Sequence, residues 1–356
     1  SKNATIPECC AKTFDCQVKK MFKKFVIFFI LFLAAVLAAG GFFAMHMADY
    51  ARSPANKEIT RTVEIVVKPG DNFRAVADKL LEKEIIRHPL KFRILADYQK
   101  STTKIKAGEY RISGAMSPKE ILGQLAEGRV LLHRLTVAEG LNIYQVAQKA
   151  EHAALCEKNE FINAATNPDL ADEMGIAADT VEGYLYPETY FFQRPISAEN
   201  IIRTMVKRFW DVFLEQWEER AKELGFSVHE IVTLASIIEK ETGIGGERKL
   251  VSSVFHNRLE KGMRLDSDPT VIYGIENFDG NITRKNLRTS TPYNTYTFRG
   301  MPPGPIANPG RAALEAALYP ADTDYLYFVA KPDKSHHFST SLPEHNQAVR
   351  KYQLNK

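Results

Sequence analysis

Twenty consecutive residues without a charge, Phe25 to Ala44 (FVIFFILFLAAVLAAGGFFA), restrict this chain more than any other segment. A bilayer hydrocarbon core is crossed by about 20 apolar residues in helical form, so the run can span with little tilt. Lys19, Lys20, Lys23 and Lys24 precede it, and Asp49 and Arg52 follow. Positive charge collects on the cytoplasmic side of a spanning helix. This predicts a cytoplasmic segment over residues 1–24, a membrane helix over 25–45 and a linker over 46–62, with everything after about residue 50 outside. The rival reading is a cleaved signal peptide, whose apolar region is only about 7–15 residues and ends at a small-x-small site. Here the run is longer and continues through Phe42, Phe43 and Met45, so an uncleaved anchor is expected. Residues 1–20 are expected to form an extension without packed structure of its own.

The 356 residues leave room for about two domains beside the anchor. Apolar content of 45% and charged content of 25% are those of an ordinary globular protein. The net charge of +4 comes from 47 basic and 43 acidic residues, well mixed along the chain. No basic tract beyond the amino-terminal region marks a nucleic-acid surface. Of the four cysteines, Cys9, Cys10 and Cys16 precede the apolar run and Cys156 stands alone after it. One outer thiol cannot make an intramolecular disulfide, and the first three match no zinc spacing.

Beyond the polar stretch Ser53–Arg61, Val63–Val67 reads as a strand and Pro69-Gly70-Asp71 as a turn. Phe73, Val76, Ala77, Leu80 and Leu81 then have helical spacing. The phrase returns: Val67, Gly70, Phe73, Val76 and Ala77 parallel Val137, Gly140, Ile143, Val146 and Ala147. Between them lie a strand near Lys106–Ile112 and a helix from Ser117 to Gly128, with Ser117 and Glu120 as a capping box. The first copy resembles the LysM type of small β-α glycan-binding module, which suggests a subdomain over 63–135 and a larger one over 136–356. Residues 155–178 read as helices. Glu182–Phe192 is dense in aromatics, suited to sugar stacking or to plain core. Ser197–Gly225 reads as one long amphipathic helix burying Ile201, Met205, Phe209, Val212, Phe213 and Trp217. A helix over Glu247–Lys261 buries Val251, Val254, Phe255 and Arg258. Residues 288–310 form a long loop of the kind usually reserved for function. Tyr325–Ala330 reads as a strand and His336–Asn346 as a polar loop with three histidines. The fold class is α+β.

Chemistry concentrates in Ser227–Gly243. Ser227 and Glu230 form a capping box, and Gly243 offers a C-terminal stop. Leu234, Ile237 and Ile238 share one helix face, and three residues further on that face stands Glu241. Glu239 points to the opposite side. A carboxyl on an apolar face is desolvated, which raises its pKa and suits it to act as a general acid. The plainer alternative is a glutamate that emerges into water or ends in a structural ion pair. Other chemistries fit less well. His229-Glu230 lacks the second histidine of a zinc-protease helix, and no nucleophile elbow, Walker loop or dinucleotide fingerprint is present. His336, His337 and His345 could hold a metal, but adjacent histidines point apart. Acid–base work by carboxylates remains, with Glu241 first and Asp268 or Glu239 behind it. No cofactor is expected.

From Ala235-Ser236-Ile237-Ile238-Glu239-Lys240-Glu241-Thr242 onward, the sequence resembles the endolytic murein transglycosylase (YceG-like) family. The likeness continues through Asn257-Arg258-Leu259, Ser267-Asp268-Pro269-Thr270, Thr291-Pro292-Tyr293-Asn294-Thr295-Tyr296, Gly300-Met301-Pro302-Pro303-Gly304-Pro305, Tyr325–Ala330, His336-x-Phe338 and His345-Asn346. Glu182–Tyr190 resembles the family's aromatic motif, and the match runs in order over roughly residues 25–350. The resemblance implies a single-pass inner-membrane protein with a LysM-like subdomain and a periplasmic catalytic domain. It implies a lyase that cleaves peptidoglycan strands between N-acetylmuramic acid and N-acetylglucosamine, leaving a 1,6-anhydro end, in cell-wall assembly. The second glutamate of its Glu-Lys-Glu motif is catalytic, which falls on Glu241. Motif density makes Asn257, Asp268, Tyr293 and Asn294 the candidates for holding the sugar and orienting Glu241. Glycan strands are the implied substrate, and peptidoglycan synthases (penicillin-binding proteins) the implied partners. The alternatives are a muramidase in which Asp268 activates water, and a non-catalytic glycan-binding scaffold. Two departures stand out: Asp266 occupies a position where the family usually has Gln, and Lys331–Ser335 lacks the usual Gly.

Overall fold

The structure is a computed structural model that describes the backbone of residues 8–275 and 278–354, with side chains from residue 21 onward. The expectation for residues 1–7, and for the thiols of Cys9, Cys10 and Cys16, lies outside the described residues. The chain divides into two compact units, Ser1–Leu131 and Leu132–Lys356. Each has its own buried core, and together they make an α+β protein.

The first unit begins with α1 (Glu8–Arg52), a continuous helix. No proline interrupts it before Pro54, so nothing stops it at the end of the apolar run. Its stretch Met21–Arg52 is long and apolar enough to cross a membrane and is a candidate span. Phe25, Leu31, Leu37 and Phe42 are all exposed along it, so no other described part of this chain covers this apolar surface. Residues 46–62, expected as a linker, are helical to Arg52 and held to the unit beyond it. Met47, Tyr50 and Ala51 pack into its core. The amides of Ala55 and Asn56 bond to the carbonyls of Met116 and Gly114.

β1 (Thr62–Val67) pairs antiparallel with β2 (Gly108–Ser113), Val63 opposite Ile112 and Ile65 opposite Tyr110. Between them run α2 (Phe73–Glu82) and α3 (Pro89–Tyr98), and α4 (Pro118–Glu127) follows. The ends form as local chemistry dictates. Gly70 takes φ +88° in the turn, the Asn72 side chain caps α2, and Ser117 with Glu120 closes the capping box of α4. Ile65, Val67, Val76, Leu80, Phe92, Tyr110, Ile112 and Ile121 form the core. Leu81, which shares the helical spacing of α2, is exposed near its end.

The second unit repeats the strand–glycine–helix phrase. β3 (Leu132–Thr136) leads through Gly140, φ +75°, into α5 (Ile143–His152), but β3 pairs with β4 (Thr189–Gln193). α6 (Lys158–Ala165) and α7 (Pro168–Glu173) lie between. The single long helix expected over 197–225 is two, α8 (Ala198–Val212) and α9 (Glu215–Glu223). Phe213 and Leu214 take extended ψ values of 93° and 151°, a corner that brings Phe213 and Trp217 into ring contact in one core. The expected inward residues are all buried.

α10 (Val228–Glu241) is the central helix, with every side chain from Ile231 to Ile238 buried. It packs on α11 (Arg248–Glu260), α12 (Asp268–Tyr273) and α14 (Arg311–Leu318); α13 (Arg284–Arg288) opens the long loop. β5 (Tyr327–Ala330) pairs antiparallel with β6 (His336–Ser339), and α15 (Leu342–Val349) follows. The polar loop expected over 336–346 is therefore a strand and a helix. Phe338 stacks near Tyr325 and Phe328, and His336 is tied to Glu247, so residues that look solvated in sequence are packed. In the β5–β6 turn Lys334 holds φ +70°, a conformation that glycine adopts without strain.

Candidate active site

α10 delivers Glu241 at its last turn. The capping box at its start is as expected: the Ser227 Oγ accepts from the Glu230 amide at 3.2 Å, and the Glu230 carboxylate accepts from the Ser227 amide at 2.8 Å. Its end differs. The helix stops because Thr242 turns extended (φ −140°, ψ 127°), and Gly243 has no left-handed conformation. The two glutamates diverge as the helical period requires. Glu239 turns towards Arg248 (3.4 Å) and accepts from the Gly310 amide at 3.1 Å. It is a buried ion-pair partner. Glu241 faces a cleft of about 480 Å³.

The Glu241 carboxyl accepts a hydrogen bond from the Ser267 Oγ, 2.5 Å from Oε1. Burial raises its pKa from the ordinary 4.5 to about 7; Ser267 opposes that rise, the nearby Asp268 charge adds to it, and Arg258 lowers it. The carboxyl is therefore substantially protonated near neutral pH. Tyr296, Tyr327, Phe328 and Leu265 give the cleft aromatic and apolar wall, and Asp266, Asp268, Arg258, His336 and His345 give it polar groups.

Each wall is fixed by buried polar bonds. The Ser267 amide donates to the Thr295 Oγ1 at 3.1 Å, and the Thr270 hydroxyl donates to the Ser267 carbonyl at 2.6 Å. Arg258 donates from Nε to the Leu326 carbonyl and from Nη1 to the Leu265 carbonyl, both at 2.7 Å, so it locks β5 to the 264–268 turn. Asp266 takes φ +49° and lies 3.3 Å from Arg264 and 3.8 Å from Arg258. Burial raises its pKa, against the pull of both arginines. The His336 ring meets the Glu247 carboxylate at 2.7 Å.

Of the residues singled out from the sequence, Glu241 and Asp268 line the cleft. The Asp268 Oδ1 accepts from the Tyr296 hydroxyl at 2.8 Å. Asn257, Tyr293 and Asn294 stand behind its walls. Asn257 spends both amide hydrogens on the carbonyls of Thr323 and Tyr325, at 2.7 and 2.9 Å, holding the approach to β5. The buried Asn294 donates to the carbonyls of Asn286, Leu287 and Thr289, and its Oδ1 accepts from the Tyr296 amide at 3.0 Å. It shapes the loop that presents Tyr296. Tyr293 packs edge-on to Tyr273 with ring centroids 4.7 Å apart. Ser267, Arg258 and Tyr296 were not among the sequence candidates. Ser267 and Tyr296 lie inside motifs that had been noted, but no periodicity signals a partner 26 or 28 residues away.

Another buried carboxyl lies elsewhere in this unit. Glu182, 2% exposed, accepts from the Ile143 amide and the Tyr273 hydroxyl at 3.0 Å each, and from the Asn308 amide at 3.2 Å. Burial raises its pKa to about 7 as well, against those hydrogen bonds. Asn308 also donates to the Leu141 carbonyl and accepts from the Leu185 amide. Beside it Gly183, φ +89°, is wedged so tightly that an added Cβ would stand 2.5 Å from the Pro305 ring. Among the described residues no group of three His, Cys, Asp or Glu side chains is placed to hold a metal.

The profile of the YceG-like family matches residues 65–351. An endolytic murein transglycosylase of Bacillus subtilis is 35% identical over 320 residues, 84% of this chain and 87% of that protein. One from Streptococcus pneumoniae is 29% identical over 359 aligned positions, 92% of this chain and 65% of that protein. A crystal structure of a YceG-like protein from Listeria monocytogenes aligns with TM-score 0.56 and 35% identity, covering 81% of this chain and 98% of that one.

Proposed function

The chain belongs to the YceG-like family, and from that premise we propose that it is an endolytic lytic transglycosylase of peptidoglycan. It cleaves between N-acetylmuramic acid and N-acetylglucosamine within glycan strands. The observation that carries this reading is Glu241, a carboxyl whose pKa burial lifts to about 7 at the wall of an aromatic-lined cleft. Because Oε1 accepts from Ser267, the transferable proton sits on Oε2. Glu241 gives it to the glycosidic oxygen as the bond to muramic C1 breaks. The resulting carboxylate takes the proton of the muramic 6-hydroxyl, whose oxygen closes on C1 to form the 1,6-anhydro end. The proton count balances and no water is consumed, so no second carboxylate has to activate one. Asp268 holds Tyr296 against the cleft and keeps the Glu241 proton bound through its charge.

We further read α1 as spanning the inner membrane with the lysines inside, and the rest of the first unit and all of the second in the periplasm. Residues 63–135 are read as LysM-like, a reading supported by the order β1–α2–α3–β2. The expected partners are peptidoglycan synthases. Mass spectrometry of products from isolated glycan strands tests the main reading. Anhydro ends are expected; reducing ends would mean a muramidase, and intact strands a binding scaffold.

A further inference from the structure

The first unit leaves one face of α3 without a partner. Leu90, Ile94 and Tyr98 follow at i, i+4 and i+8 and are 71%, 37% and 87% exposed, while Phe92, Leu95 and Ala96 are buried on the other face. Three large apolar side chains aligned on an exposed helix face are a mark of an interaction surface. Along the chain the charge is lopsided: Arg87, Lys91, Arg93, Lys100, Lys104 and Lys106 are basic and Asp97 alone is acidic between Arg87 and Lys106, with Arg87 ion-paired to Glu58 and Arg93 3.9 Å from Asp97.

α3 is also an element that meets the anchor. The Tyr50 hydroxyl of α1 donates to the His88 carbonyl at 3.4 Å, and the Lys91 ammonium lies 5.7 Å from the centre of the Tyr50 ring. Tyr50 stands six residues past Ala44, the end of the uncharged run, which is about 9 Å along a helix axis. The headgroup layer on each side of a bilayer is roughly 5–8 Å thick. The start of α3 is thus held close to the outer edge of the headgroup layer.

We propose that α3 is an interfacial helix. Its Leu90–Ile94–Tyr98 stripe enters the surface of the bilayer that α1 crosses, and Lys91 and Arg93 lie over anionic lipid headgroups. The bilayer is the occupant because α3 begins against the end of the candidate span, at Tyr50, and because basic residues flank the stripe. The inference rests on α1 being a membrane span and goes beyond the catalytic reading. Its consequence is that the first unit is fastened to the membrane at two places, so it does not swing freely on α1.

The test uses the full chain, with Cys9, Cys10, Cys16 and Cys156 changed to serine, in phosphatidylglycerol-containing nanodiscs carrying headgroup-level spin-labelled lipid. An environment-sensitive fluorophore is placed by Leu90→Cys, by Tyr98→Cys or, to report on the span itself, by Phe32→Cys. Blue-shifted emission at Leu90 and Tyr98, quenched at least about twofold by the labelled lipid, is expected for an interfacial helix. Water-like emission at both sites while Phe32 reports hydrocarbon would overturn the proposal and leave the span intact. Shielding from aqueous iodide without lipid quenching would mean that protein covers the face, and would also overturn it. Equal quenching in purely zwitterionic discs would overturn the headgroup part. Water-like emission at Phe32 would instead overturn the span on which the proposal stands.

Discussion

Glu182 and Glu241 are two buried carboxyls in one unit, both lifted to about 7 by the same cause, burial. Their surroundings separate them. Glu182 is sealed and meets an amide, a phenol and a side-chain amide, so its bonding capacity is spent on holding α5, α12 and the 305–308 segment together. Glu241 has the Ser267 hydroxyl on one oxygen and an open cleft in front of it. A raised pKa marks a residue that burial perturbs; access for a reacting atom decides whether it does chemistry.

The largest effect expected from this contrast is at Glu241. Glu241→Gln keeps the shape and removes the proton, so turnover of glycan strands should fall by about a hundredfold or more, with little change in thermal midpoint. A variant that keeps full activity would end the assignment of the acid. Next comes the pH profile. Only the protonated carboxyl can act as acid, so kcat/KM should be flat well below pH 7 and drop about tenfold per pH unit above it. A flat profile through pH 9 would point to another proton donor.

Glu182→Gln should do the reverse of the Glu241 change. It sets an NH₂ group against donors, and should lower stability by about 1–3 kcal/mol while leaving activity per folded molecule within about tenfold of the parent. Stability against pH provides a second reading of the pair. Between about 4.5 and 7 the folded chain keeps protons on both carboxyls that the unfolded chain has released. Folding therefore weakens as pH rises through that window and levels off above it. Urea titrations across the window should show this slope, reduced in Glu182→Gln. Near-normal stability together with lost activity would make Glu182 part of the chemistry. The smallest change is expected from Asp268→Asn, which removes a charge that raises the Glu241 pKa; the alkaline limb should move down by less than about one pH unit. A limb that moves up would show that Asp268 acts on Glu241 by some route other than its charge.

What could be read in the sequence was what depends on near neighbours. Capping boxes at Ser117 and Ser227, the turn at Gly70 and the inward face of α10 are set within a few residues of chain, so periodicity and cap chemistry suffice. Glu241 was legible for the same reason. Ser267 reaching it and Tyr296 reaching Asp268 depend on tertiary folding, and neither carries a local signal. Asn257 and Asn294 stand out in the motifs, yet a side chain that holds backbone carbonyls reads in sequence like one that holds a sugar. Propensity favoured a single helix through Phe213, where packing two aromatics into the core required a corner. The polar look of 336–346 hid a strand because His336 and His345 satisfy or stack their rings within the fold, on Glu247 and Tyr327.

Asn308 joins itself to Leu141, Glu182 and Leu185 across 167, 126 and 123 residues of chain. A ribosome releases the amino end first, so the first unit is complete long before residue 308 exists. Closing loops of that size is a late event in any folding order. A chain made only as far as the end of α11 already contains Glu241 but has neither the Tyr296 loop nor β5 to wall the cleft. The walled cleft is the last feature this chain completes, and a nascent or truncated copy carries Glu241 without it.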